Sequence, residues 1–203
     1  MSRTIETKIR ATQGLVRKQG VLRARDLSSR GIPRSYLRRL QDQGAIEKLG
    51  PGLYADAKFE PTANHSLVEA SVRVPHGVIC LLSALRFHGL TTQAPFQVWL
   101  AIDIHAWRPK QSSPPLRIVH MGEAALKAGV ETHKMENVDV PVFSAAKTVA
   151  DCFKYRNKIG LDVALEALKE FRASKKWSHD ELWRHAKLCR VANVMRPYLE
   201  ALA

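Results

Sequence analysis

The stretch Val21–Tyr54, VLRARDLSSRGIPRSYLRRLQDQGAIEKLGPGLY, decides the fold. Ala24 and Leu27 share one side of a short helical segment over Arg23–Ser29, and Gly31 supplies a permissive turn. Pro33 stands where a helix tolerates proline, in its first turn. From there to about Gln43 the spacing predicts a second helix, with Tyr36, Leu37 and Leu40 on one face. That face turns Arg34, Ser35, Arg38, Arg39 and Asp42 outward. In Ala45–Tyr54 the pairs Ile46/Leu49 and Leu53/Tyr54 flank Gly50-Pro51-Gly52, a sequence suited to the tip of a tight hairpin. Two short helices, a turn between them and a hairpin behind them are the layout of a winged helix-turn-helix, whose second helix reads DNA.

Charge supports this. Residues 1–58 hold 13 Lys and Arg against 5 Asp and Glu, so +8 of the chain's +13 sits in under a third of its length. Such a concentration is the footprint of a surface that meets a polyanion. A merely solvated helix face is mixed in sign, whereas Arg34, Arg38 and Arg39 have one nearby acid, Asp42. Arginines near the start of the second helix can fork onto guanine O6 and N7. Arg3, Lys8, Arg17, Lys48 and the wing-tip backbone at Gly50 and Gly52 are better placed for phosphates.

The chain has 203 residues, 45% hydrophobic and 25% charged, an ordinary globular composition for one large or two small domains. No apolar run approaches the roughly 20 residues that span a bilayer. The start, MSRTIETKIR, lacks the apolar core of a signal peptide, so the expectation is a cytoplasmic protein without a membrane partner. Cys80, Cys152 and Cys189 are odd in number and far apart, which points to reduced, buried thiols rather than disulfides or a metal site.

Working outward, Thr4–Gln19 reads as a first helix closed by Gly20, and Ala55–Asn64 as a linker, giving domains 1–58 and 65–203. In the second domain His65–Val74 is predicted helical, and Gly77–His88, apolar on nearly every side, is predicted to be a buried helix ending at Gly89. Phe96–Ile104, Leu116–His120 and Val138–Phe143 read as strands, and Trp107–Pro115 as a proline-broken loop. Helices follow over Ser144–Tyr155, Leu161–Arg172, from the Ser178–Glu181 capping box, and over Ala192–Leu202. The fold class is therefore α+β: an N-terminal winged helix-turn-helix, then an α+β domain with a small sheet and a helical C-terminal segment.

Catalytic chemistry finds little footing. Asp56-Ala57-Lys58 matches a D-x-K nuclease fragment, but no second acid in strand context accompanies it. Asp103-Ile104-His105 lacks clustered His or Cys partners for a metal. Lys147 and Asp151, four residues apart on one helix, read as an ordinary ion pair worth a few tenths of a kcal/mol. Neither GxxxxGK[ST] nor GxGxxG occurs, so neither a cofactor nor a catalytic metal is expected, and the protein is not expected to be an enzyme. Ser83, Arg86 and His88 lie among apolar residues and need partners, and Trp99 and Trp107 are aromatic anchors if exposed.

The order of features resembles the AbiEi-type antitoxins, transcriptional regulators of bacterial abortive-infection, antiviral and type IV toxin–antitoxin systems. The resemblance is carried by the winged helix ending in Gly50-Pro51-Gly52-Leu53-Tyr54 and by Gly77-Val78-Ile79-Cys80-Leu81-Leu82-Ser83-Ala84-Leu85 followed by His88-Gly89-Leu90. It continues with Ala146-Lys147-Thr148-Val149-Ala150-Asp151-Cys152-Phe153, then Arg156-Asn157-Lys158-Ile159-Gly160-Leu161-Asp162 before Ala164-Leu165-Glu166-Ala167-Leu168. It implies an N-terminal domain that binds inverted repeats in its own promoter and represses the operon. It also implies a C-terminal domain that counters a nucleotidyltransferase-like toxin encoded beside it. The Gly-Ser and paired-aspartate pattern of such a toxin is missing here. Ser83, Arg86, Lys147 and Asp151 lie within the matching motifs and are the candidates for an antitoxic surface. The alternatives are a plain winged-helix regulator whose second domain binds an effector or dimerises, and an enzyme, a nuclease or a modifier of the toxin, with its site in the second domain.

Overall fold

The computed structural model of the protein describes residues 2–50, 52–58, 60–110 and 114–202, with side chains from residue 6 onward. Its contacts divide the chain into two compact units. One runs through Pro75 and includes Lys134–Val140, and the other takes His76 onward apart from that segment and a short piece ending at Pro114. The division falls beyond the expected linker, Ala55–Asn64, because the first helix after it packs against the first strand of the N-terminal unit.

In the N-terminal unit α1 (Ser2–Gln19) leads into β1 (Val21–Arg23), α2 (Ala24–Ser28) and α3 (Ser35–Asp42), then β2 (Ile46–Gly50), β3 (Leu53–Asp56) and α4 (His65–Arg73). Its antiparallel sheet has the order β1-β3-β2, with Leu22 and Lys48 both opposite Tyr54. Strand β1 was not apparent in the sequence, since three residues are too few to show alternation. Ile9, Val16, Leu22, Leu27, Leu37, Leu40 and Ile46 form one apolar core, so α1, α2, α3 and the wing bury their stripes against each other.

The second unit begins with β4 (Val78–Ile79), α5 (Leu81–His88), β5 (Val98–Asp103), β6 (Leu116–Met121), α6 (Glu123–Lys127), β7 (Val130–Met135) and β8 (Val138–Phe143). It closes with α7 (Ala145–Lys154), α8 (Arg156–Ile159), α9 (Leu161–Ala173), α10 (His179–Leu188) and α11 (Ala192–Ala201). Its five strands lie in the order β6-β5-β4-β8-β7, with β5/β6 and β4/β8 parallel and β4/β5 antiparallel.

The expected helix over Gly77–His88 is corrected at its start. Val78 and Ile79 are a central strand, Cys80 N donates to Trp99 O at 3.0 Å, and the chain turns into α5 only at Leu81, whose φ is +44°. A short apolar run has no period that separates a buried strand from a buried helix, and β-branched Val78 and Ile79 favour the strand. Edge strand β7, VETHKM, was not apparent in the sequence, since its side chains are polar and largely exposed, as edge strands require. No helix among the described residues is long and apolar enough to cross a membrane.

Phe143, Phe153, Leu168 and Phe171 are fully buried in the core between sheet and helices. α7 is its central element, packing against α5, α9 and α10. Ser144 and Ser178 cap α7 and α10 as their positions predict, accepting from Lys147 N and Glu181 N. Cys80, Cys152 and Cys189 are free and buried; burial pushes the first two thiols well above their ordinary value and Cys189 up to about 12.

Gly129, at φ +65°, approaches α7 so closely that an added Cβ would lie 2.8 Å from Lys147 Cβ and 2.9 Å from His185 Cε1. Gly129→Ala is expected to destabilise the second unit by about 1–3 kcal/mol, read as a lower urea midpoint with an unchanged slope.

Candidate nucleic-acid interface

Helix α3 is held by Leu37 and Leu40, each 1% exposed, with half-buried Tyr36 beside them. Because those side chains occupy the core, the 3.6-residue period turns Ser35, Arg38 and Arg39 into solvent, and Arg34 is exposed one residue before the helix. Arg34 Nε donates to Ser28 Oγ at 3.3 Å, linking the start of α3 to the end of α2. The helix spans Ser35–Asp42, slightly shorter than expected, with Pro33 in the turn ahead of it, where its carbonyl accepts from Tyr36 N.

The wing stands beside this helix. Lys48 is exposed on β2, and the register between β2 and β3 shifts between Lys48 and Gly50, which pairs with Leu53. Gly52 has φ +73°, and its carbonyl accepts from Ala24 N at 2.8 Å, tying the turn to the start of α2. Pro51, and the side chain of Arg3, lie outside the described residues. On α1, Lys8 is exposed. Arg17 already has an intramolecular partner: its Nε donates to buried Asp56 at 2.9 Å, pinning α1 to the wing strand. Asp56 also accepts from Lys58 N, so the D-x-K fragment forms a turn anchored by an ion pair.

Three arginines that the sequence did not single out, Arg23, Arg25 and Arg73, line a cleft with Arg34, Ala24, Gly52 and Leu53. Arg23 and Arg25 were visible as charges beside the turn. Arg73, on α4, reaches the same place only through the packing of α4 on β1.

The four second-unit candidates separate. Ser83 is buried, and its Oγ accepts from Trp99 N at 2.9 Å, tying α5 to β5. Arg86 is exposed. Lys147 and Asp151 are joined as expected, but as a fully buried ion pair, which corrects the reading of an ordinary surface pair. The Lys147 ammonium lies 4.3 Å from the centroid of the Phe143 ring, and Cys189 Sγ donates to the other oxygen of Asp151 at 3.2 Å. Ser83, Lys147 and Asp151 thus serve the interior, and only Arg86 of the four is exposed. Asp103 Oδ1 accepts from His105 N in an Asx turn. Trp99 is half-buried against the core with the Arg117 guanidinium 5.6 Å from its ring centroid, whereas Trp107 is 94% exposed.

A basic helix seated on a small core beside a β-hairpin gives the N-terminal unit the layout of a winged helix-turn-helix. Residues 15–55 match the family described as transcriptional regulator, AbiEi antitoxin, so the resemblance holds over the segment from the second half of α1 to β3. The match supports an antitoxin and regulator role. No curated protein matches the chain.

The buried pair has a measurable consequence. Asp151→Ala strands an ammonium in an apolar core and is expected to cost about 3–5 kcal/mol, whereas Lys147→Met combined with Asp151→Leu recovers most of that stability. Urea unfolding of the two variants measures the difference.

Protonation acts on the same unit. His88 and His185 both titrate below the ordinary 6.5, chiefly because burial disfavours the charged ring. At His88 the Phe143 carbonyl, 2.7 Å from Nε2, opposes that shift and Lys176 adds to it; at His185 Lys147 and Arg184 add to it. The unfolded chain therefore binds protons that the folded chain refuses. Stability is full above pH 6.5 and falls as pH drops through the two depressed values, so the urea midpoint is expected to be lower at pH 5.5 than at pH 7.5.

Proposed function

We propose that the protein is an autoregulating antitoxin. The N-terminal unit binds double-stranded DNA upstream of its own gene, at inverted repeats, and represses the operon, while the C-terminal part of the chain counters a nucleotidyltransferase-like toxin. The observation that carries the DNA half is the outward face of α3, where Ser35, Arg38 and Arg39 follow exposed Arg34, inside the segment that matches the regulator family. In this reading α3 enters the major groove with Ser35, Arg38 and Arg39 facing the bases, Arg34 stands at its start, and Lys8, Lys48 and the wing backbone at Gly50 and Gly52 meet phosphates. Arg3 and Arg17 contribute charge from α1, Arg17 while paired to Asp56. The antitoxic half rests on the family, with exposed Arg86 as the second-unit residue placed to meet a partner.

The test is a polarisation titration of the protein against its upstream duplex and a scrambled duplex at two salt concentrations. A preference of about 1,000-fold or more, with affinity falling steeply as salt rises, is expected. Arg34→Glu with Arg38→Glu is expected to abolish upstream binding while leaving the circular dichroism spectrum unchanged. Equal, weak binding to both duplexes would reject the repressor. Co-expression with the neighbouring gene product tests the antitoxic half, and growth arrest that the intact chain does not relieve would reject it.

A further inference from the structure

In the N-terminal unit four arginines, Arg23, Arg25, Arg34 and Arg73, line one cleft of about 250 Å³ with Ala24, Gly52 and Leu53. Like charges do not gather in a small space without something to neutralise them. Among the described residues, Asp26 and Glu69 are the acids that stand beside these arginines. Asp26 accepts from Arg23 Nε at 3.0 Å, and Glu69 lies near Arg73 on α4. Burial raises the pKa of Glu69 and lowers that of Arg73. The second nitrogen of the Arg23 fork, Nη1, is shielded from solvent and has no hydrogen-bond partner among the described residues. The forks are nonetheless held in place, Arg23 by Asp26 and Arg34 by Ser28 Oγ.

We infer that this cleft is a receptor for a phosphate group, clamped by Arg23, Arg25, Arg34 and Arg73 beside the Gly52 turn of the wing. Planar guanidinium forks bind phosphate oxygens through paired N–H donors, and a phosphate supplies both the missing acceptors and the missing charge. Among the described residues the lining carries no aromatic ring. The volume suits one small anion rather than a drug-sized ligand, which takes roughly 300–1,000 Å³. Arg34 belongs both to this cleft and to the start of the reading helix. A backbone phosphate held here would therefore set the register at which α3 meets the groove. The origin of the phosphate in DNA rests on the DNA-binding reading above; the anion chemistry of the cleft does not.

The experiment uses the full chain, the upstream duplex and inorganic phosphate as probes. Arg25→Gln, on an exposed position of α2, and Arg23→Gln with Arg25→Gln are compared with Lys169→Gln, an exposed charge-matched control on α9. Thermal shift with phosphate, against chloride at equal ionic strength, reads the cleft directly, and circular dichroism verifies that the variants fold. Wild type is expected to be stabilised by phosphate and the double variant not. The double variant is also expected to bind the duplex at least 10-fold more weakly, with a salt slope flatter by about two, while the control is unchanged. If phosphate expels wild type from the duplex more than chloride does, and the double variant escapes this, the cleft also takes free phosphate. Phosphate binding without duplex binding would overturn the DNA reading and leave the cleft standing. Variants matching wild type in both assays, or a wild type indifferent to phosphate, would overturn the receptor.

Discussion

The ion pair between Lys147 and Asp151 sits wholly inside the second unit, on the helix that α5, α9 and α10 pack around. A charged pair in such a place is stable only if both partners stay and their remaining valences are met. Here the Phe143 ring, the Cys189 thiol and the close pass of Gly129 supply that environment. Burial of the pair, the raised thiols and the depressed histidines have one cause, a core that penalises every unpaired charge placed in it. The Cys189 thiol ties Asp151 on α7 to the end of α10, and a motif that looks functional in the sequence is committed to the interior.

The N-terminal unit follows the opposite rule. Its core is small, and seven buried aliphatic side chains suffice to seat α1, α2, α3 and the wing. Most of what these elements turn to solvent is polar, and the excess is positive. With Leu37 and Leu40 as the fixed points of α3, the arginines have nowhere to go but outward. The same packing that stabilises the helix therefore produces its charged face, so fold and binding surface are one consequence of a single amphipathic pattern. Arg17 shows the exchange between roles: its pairing with Asp56 joins α1 to the wing while its charge still adds to the basic surface.

Most elements were legible because their signals are local. The capping serines Ser144 and Ser178, the Gly50–Gly52 turn and the period of α3 each act within one or two turns of chain, and the structure follows them to within a residue or two. Failures came where periodicity was absent or masked by environment. Val78 and Ile79 form a central strand inside an apolar run that reads as helix, and β7 carries the charges of an edge strand and shows no apolar alternation. Among the site residues, the outward set on α3 was legible, but the burial of Ser83, Lys147 and Asp151 was not, since i, i+4 spacing says which side chains meet and not what surrounds them.

By itself, then, the sequence determined the winged helix, the sign of its surface and the residues that α3 turns to solvent, because hydrophobic period and charge are properties of neighbouring residues. Only the tertiary structure decided that Arg73, some forty residues beyond the wing's neighbour Arg34, joins Arg23, Arg25 and Arg34 around one cleft. It also decided that Lys147 and Asp151 face inward. Both outcomes depend on which elements pack together, and packing between distant segments is set by the shapes and volumes of whole faces rather than by any local pattern.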